Sequence, residues 1–65
     1  MIVSRAKEIM ESKKVTLRGM MEGTGLANET ILRARGKEIR QCKLCTLEII
    51  AEYLGVKTKD LYDED

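Results

Sequence analysis

The chain has 65 residues, twelve Lys/Arg against eleven Asp/Glu, no His and a formal net charge of +1. Folding at this length buries only about 60% of the surface of the unfolded chain, which leaves one small core and no deep substrate cleft. With no Pro, Phe or Trp, and no sustained alternation of apolar and polar residues, the composition points to an all-α fold of one domain.

The first predicted helix runs from about Val3 to Ser12. Its apolar stripe is Ile2/Val3, Ala6 and Ile9/Met10, and Lys13 ends it. Ser12-Lys13-Lys14 is a polar connector, and Val15 a buried plug. Thr16 is the N-cap of the second helix, whose Leu17, Met20, Met21 and Thr24 share a face at i, i+3, i+4, i+7. Gly19 and Gly23 interrupt it, each costing roughly 1 kcal/mol against Ala. Gly25 falls where a helix ends in a left-handed residue.

The third helix spans about Ala27 or Asn28 to Arg35. Leu26 and Ile31 face inward with Ala34 or Leu32 beside them, and Gly36 is a second C-cap glycine. Residues 37–45, KEIRQCKLC, form a loop with room for a turn of helix, tethered to the core by Ile39 and Leu44. The fourth helix starts at the N-cap Thr46, runs through Leu47, Ile50, Ala51 and Leu54, and closes at Gly55. Val56 packs beneath it. Thr58 caps a short fifth helix, Lys59 to Tyr62, anchored by Leu61. The domain spans residues 1–62, and 63–65 form a solvated acidic tail.

The small net charge conceals a polar molecule. Residues 1–45 carry ten basic and five acidic side chains, +5, whereas residues 46–65 carry two basic and six acidic ones, −4. Within the positive part, LRGMMEGTGLANETILRAR (Leu17–Arg35) reads as two short helices hinged at Gly25, the second presenting polar and basic side chains. That is a helix-turn-helix with its second helix shaped for a DNA groove. Lys7 and Glu8 break any secretory signal, and no run approaches the roughly 18 apolar residues of a membrane span. A cytoplasmic location follows, with Cys42 and Cys45 reduced.

TGLANETILRARG resembles the turn and recognition helix of the Cro/C1-type helix-turn-helix family of bacterial and phage regulators. TLEIIAEYLGVKTKDLY is similar to that family's last two helices. The family's landmarks fall on Gly25, Ile31 and Leu54-Gly55-Val56. The resemblance implies a compact five-helix, lambda-repressor-like domain. It also implies a sequence-specific regulator, a repressor, that binds double-stranded DNA with no cofactor; a module this small buries little DNA surface, so a homodimer on a palindromic site is expected. Three positions depart from the pattern. Met21 stands where a small residue, mostly Ala, is usual at the helix crossing. Leu17 stands where Gln is common, and the 37–45 loop is longer.

The resemblance places Asn28, Glu29, Thr30 and Arg33 at base-facing positions, against an ordinary solvated helix face as the plain reading. Their chemistry suits base readout, since Asn pairs with adenine, Arg with guanine, Thr packs on a thymine methyl and Glu accepts from cytosine. Glu29 has a second reading, repulsion of phosphate at wrong sites. Arg35, Lys37, Arg40 and Lys43 follow the recognition helix, where phosphate contacts commonly arise, and Arg18 is a further phosphate candidate.

Cys42-Lys43-Leu44-Cys45 lacks the third and fourth ligands of a structural zinc site unless two chains share one. Ile49 and Tyr53, off the apolar stripe, suggest a dimer contact. No catalytic constellation is present, so no enzyme is expected. The size also leaves no room for a small-molecule effector domain. The competing reading is a protein-interaction module of the same fold, antitoxin-like or an anti-repressor, working through Ile49 and Tyr53 without touching DNA.

Overall fold

The computed structural model describes residues 2–64, and the order of its elements differs from expectation at both ends. The chain opens with β1 (Ile2–Ser4) and continues through the helices α1 (Ala6–Ser12), α2 (Leu17–Thr24) and α3 (Asn28–Arg35). A 3₁₀ turn (Lys37–Gln41) leads into α4 (Leu44–Leu54), then a second 3₁₀ turn (Thr58–Leu61) and β2 (Tyr62–Glu64). Among the described residues the domain is predominantly helical, with four α-helices. The fifth predicted helix is the second 3₁₀ turn, where the Lys57 N–H donates to the Asp60 carboxylate at 3.1 Å.

β1 and β2 pair antiparallel, with Ile2 opposite Glu64, Val3 opposite Asp63 and Ser4 opposite Tyr62. The all-α expectation thus misses a ribbon, and α1 begins at Ala6 rather than Val3. Along β1 the side chains alternate: Ile2 and Ser4 are half-buried and Val3 is exposed. Asp63 and Glu64, expected in a solvated tail, are exposed but paired into β2; Asp65 lies outside the described residues.

The helix ends carry the local logic. Val15 N–H donates to the Met10 carbonyl (2.8 Å) and Lys14 N–H to that of Glu11 (3.1 Å), the paired bonds of a Schellman motif closing α1. The residue in the left-handed slot is Lys14, with φ 57°, not a glycine. Thr16 caps α2 as predicted, its Oγ1 accepting from the Gly19 N–H at 3.0 Å. Gly25 and Gly55 are left-handed, φ 75° and 73°, and end α2 and α4. Gly36 ends α3 in extended backbone, so it is not a left-handed C-cap. The helix α4 begins about a turn before Thr46: the N–H groups of Thr46 and Leu47 both reach the Lys43 carbonyl, at 3.0 and 3.2 Å. That start puts Leu44 on the outside of the first turn, exposed rather than tethering the loop.

The core is built from every helix. Ala6 and Met10 come from α1, Met20 from α2, Ile31 and Ala34 from α3, and Leu47, Ile50, Ala51 and Leu54 from α4. Ile39 and Leu61 plug it from the two 3₁₀ turns. The core includes Ala34 and leaves Leu32 outside, settling which of the two faces inward. Val15 is half-buried, packed on the core's edge.

Met21 is likewise half-buried and packs against the core's margin. Gly23 serves a different neighbour: a Cβ there would collide with Cε1 of Tyr53, so the ring of α4 lies directly on the α2 backbone. No helix among the described residues is long and apolar enough to cross a membrane.

Candidate nucleic-acid interface

The helix α3 is held from three sides, which sets the direction of its outer face. Gly25 turns the chain out of α2, its N–H donating to the Met21 carbonyl at 2.9 Å. The Thr24 hydroxyl donates to the Met20 carbonyl and accepts from the Leu26 N–H at 3.2 Å, bracing the same turn. Ile31 and Ala34 anchor the inner face in the core.

At the far end, the Ser4 hydroxyl of β1 donates to the Ala34 carbonyl at 2.5 Å and accepts from the Ala6 N–H at 3.2 Å. That carbonyl is one of four left without an intrahelical partner in the last turn of α3. Ser4 therefore ties the ribbon to the end of α3, a role that no local sequence signal announces.

The predicted base-facing residues lie on the outer side of α3. Asn28, Glu29 and Arg33 are exposed, and Thr30 is half-buried. Arg33 is the centre of the surface because it lines two adjoining depressions. One is walled by Glu29, Leu32, Gly36, Lys37 and Glu38, the other by Thr30, Gln41, Cys42, Lys43 and Thr46. The two depressions bring together Glu29, Thr30, Arg33, Lys37 and Lys43 from the predicted set. Leu32, 46% exposed, adds an apolar contact to the same face. Arg33 also forms an ion pair with Glu38, Nε to Oε2 3.5 Å, across the point where the chain turns at Gly36.

The remaining predicted phosphate contacts are dispersed. Arg18 stands on α2, 3.4 Å from the Glu22 carboxylate one turn on. Arg35 is half-buried with its Nε enclosed and without a partner among the described residues, unlike the exposed Lys37 and Lys43. Arg40 is exposed and lines a separate depression with Ile2, Ile39, Cys42, Leu44, Leu47 and Tyr62. Arg33 and Arg35 in the last turn of α3 also suit the negative end of the helix dipole.

Cys42 and Cys45 are both free thiols. Burial pushes the Cys42 thiol above its ordinary range; the nearby Arg33 guanidinium opposes this shift and the Glu38 carboxylate adds to it. Among the described residues no group of three or more His, Cys, Asp or Glu is placed to hold a metal ion. On α4, Ile49 and Tyr53 are exposed and line a shallow depression with Gly23, Thr24 and Glu52.

No curated protein and no solved structure matches the chain significantly. The family model of the Cro/C1-type HTH DNA-binding domain does match, over residues 6–63, from the start of α1 into β2. With a helix pair hinged at Gly25 and nearly the whole fold inside that match, the chain belongs to the Cro/C1-type HTH DNA-binding family.

Proposed function

We propose that the protein is a sequence-specific transcriptional regulator, a cytoplasmic repressor of bacterial or phage type, that lays α3 in the major groove. The observation that carries this reading is that Glu29, Leu32 and Lys37 line one depression and Thr30 and Lys43 another, the two meeting at Arg33. Asn28 and Arg33 supply the bidentate pairing that adenine and guanine accept. Thr30 and Leu32 supply apolar contact for a thymine methyl, and Glu29 accepts from cytosine. Lys37 and Lys43 flank the helix as phosphate contacts, with Arg18 on the bracing helix; Arg35 and Arg40 are weaker candidates for this role.

The longest dimension of the domain is 30 Å. Half-sites of a palindrome lie about 34 Å apart, so reading two of them takes two copies. We assign the exposed Ile49 and Tyr53 to that homodimer contact. Repression follows from occupying DNA that polymerase needs, a mechanism drawn from analogy within the fold.

The same Ile49/Tyr53 patch supports the second reading, a protein-interaction module that leaves DNA alone. Selection of bound sites from a random duplex library, repeated at rising salt, separates the two. A DNA reader enriches a defined, palindromic site and loses affinity steeply as salt increases. An interaction module enriches nothing. Within an enriched site, Arg33→Ala should erase the preference at one base pair at a cost of about 1–3 kcal/mol, whereas Lys43→Ala should weaken all sequences alike.

A further inference from the structure

We propose that Glu38 is a positioning residue for sequence readout. Its carboxylate lies in ion-pair range of Arg33 Nε, 3.5 Å away, and on a DNA-covered surface would close on that edge, leaving the two terminal guanidinium nitrogens to face a guanine. The inference rests on the DNA-reading assignment above and adds to it an acidic residue that the charge pattern alone would count against DNA binding.

The geometry supplies the argument. Arg33 sits in the last turn of α3 and lines two depressions, so its long side chain has two directions in which to lean. Glu38 borders only one of them, the depression shared with Glu29, Leu32 and Lys37, and lies 3.5 Å from Arg33 Nε. A guanidinium has two edges that can make paired hydrogen bonds. One uses Nε with a terminal nitrogen, the other uses both terminal nitrogens. A carboxylate drawn to Nε competes for the first edge and leaves the second, the fork that matches guanine O6 and N7.

The side chains of Arg33 and Glu38 are 43% and 62% exposed, so in water the pair is weak. When DNA covers the surface and expels water, the attraction strengthens and the guanidinium has one favoured direction. The same carboxylate repels phosphate whatever the sequence. Glu38 thus lowers affinity for all DNA while sharpening the choice at one base pair.

The test is a double-mutant cycle on site preference, using duplexes selected with the wild-type protein and each base pair varied in turn. Arg33→Ala first identifies the base pair that Arg33 reads. Glu38→Ala should reduce discrimination at that base pair by up to about tenfold. It should leave the other positions unchanged and raise affinity for an unrelated duplex a few-fold, as one repelling charge is lost. Glu38→Gln, which keeps an acceptor without the charge, should retain part of the discrimination and show the same rise in non-specific affinity. In the Arg33→Ala background, Glu38→Ala should change no base preference at all.

The proposal is overturned if Glu38→Ala raises specific and non-specific affinity by the same factor, because Glu38 then only repels. It is equally overturned if the lost discrimination falls at other base pairs or persists without Arg33. Failure of the underlying reading looks different: the wild-type protein then enriches no duplex, or Arg33→Ala leaves every position unchanged, and the role of Glu38 falls with it.

Discussion

Replacing Lys14 with glycine should make the protein more stable. Lys14 occupies the left-handed slot that closes α1, at φ 57°, where an L-residue pays roughly 1–2 kcal/mol. Glycine removes that cost but brings extra freedom to the unfolded chain, which returns about 0.5–1 kcal/mol. The net gain is roughly 0.5–1 kcal/mol, or about 2–8 °C in melting temperature for a domain of this size. Thermal and urea unfolding followed by far-ultraviolet circular dichroism would measure it, with an unchanged urea dependence as the sign that only stability moved.

Two companion variants isolate the cause. Lys14→Ala removes the charge but keeps a Cβ, so it should show no comparable gain. Gly55→Lys places a lysine in the matching slot of α4, where a built Cβ meets no atom within 4 Å, and should lose about what Lys14→Gly gains. If Gly55→Lys is destabilising while Lys14→Gly leaves the midpoint unmoved, backbone strain at Lys14 is refuted. A gain in Lys14→Ala would instead assign the effect to charge repulsion beside Lys13.

Three further variants or modifications probe contacts described above. Ser4→Ala leaves the Ala34 carbonyl without its donor and should cost about 1–3 kcal/mol in the same unfolding assay, with earlier amide exchange in the last turn of α3. Gly23→Ala should fail to deliver the roughly 1 kcal/mol that such a change yields in an open helix, because its Cβ displaces the Tyr53 ring; a full gain contradicts the close approach. Cys45 should react with iodoacetamide before Cys42 at pH 8, since Cys45 is exposed and the raised Cys42 pKa leaves less thiolate at any given pH; peptide mass mapping reads the order.

The most legible parts of the fold are those in which pattern and burial coincide along a short stretch. Leu47, Ile50, Ala51 and Leu54 stand at helical spacing and are all buried, and Gly25 and Gly55 mark true left-handed turns. The Thr16 cap is readable because the bond it makes is three residues away. The family match over residues 6–63 agrees with the motifs at Gly25, Ile31 and Leu54-Gly55-Val56.

What escapes depends on contacts distant in sequence or on backbone rather than side chain. Three residues per strand are too few to display alternation, and the partner of Ile2–Ser4 lies at Tyr62–Glu64. Thr46 looks like a cap and so points to a late start for α4, whereas the Lys43 carbonyl receives the first bonds. Leu44 is misplaced with it. Lys14 carries no mark of its left-handed backbone, since lysine is not the residue that slot favours. The pairing of Arg33 with Glu38 arises only once the chain has folded back after Gly36.

The ribbon also bears on how the molecule comes apart. Its two strands are joined only through the whole of the helical chain between them, so closing it carries the largest loop entropy in the fold. Those contacts cannot repay that cost until the helices are in place, so the ribbon should form after the folding transition state. Val3→Gly, on the exposed side of β1, should therefore accelerate unfolding and leave the refolding rate nearly unchanged in stopped-flow measurements. With that outcome the ribbon is a latch on native-state lifetime, with little influence on the speed at which that state is reached.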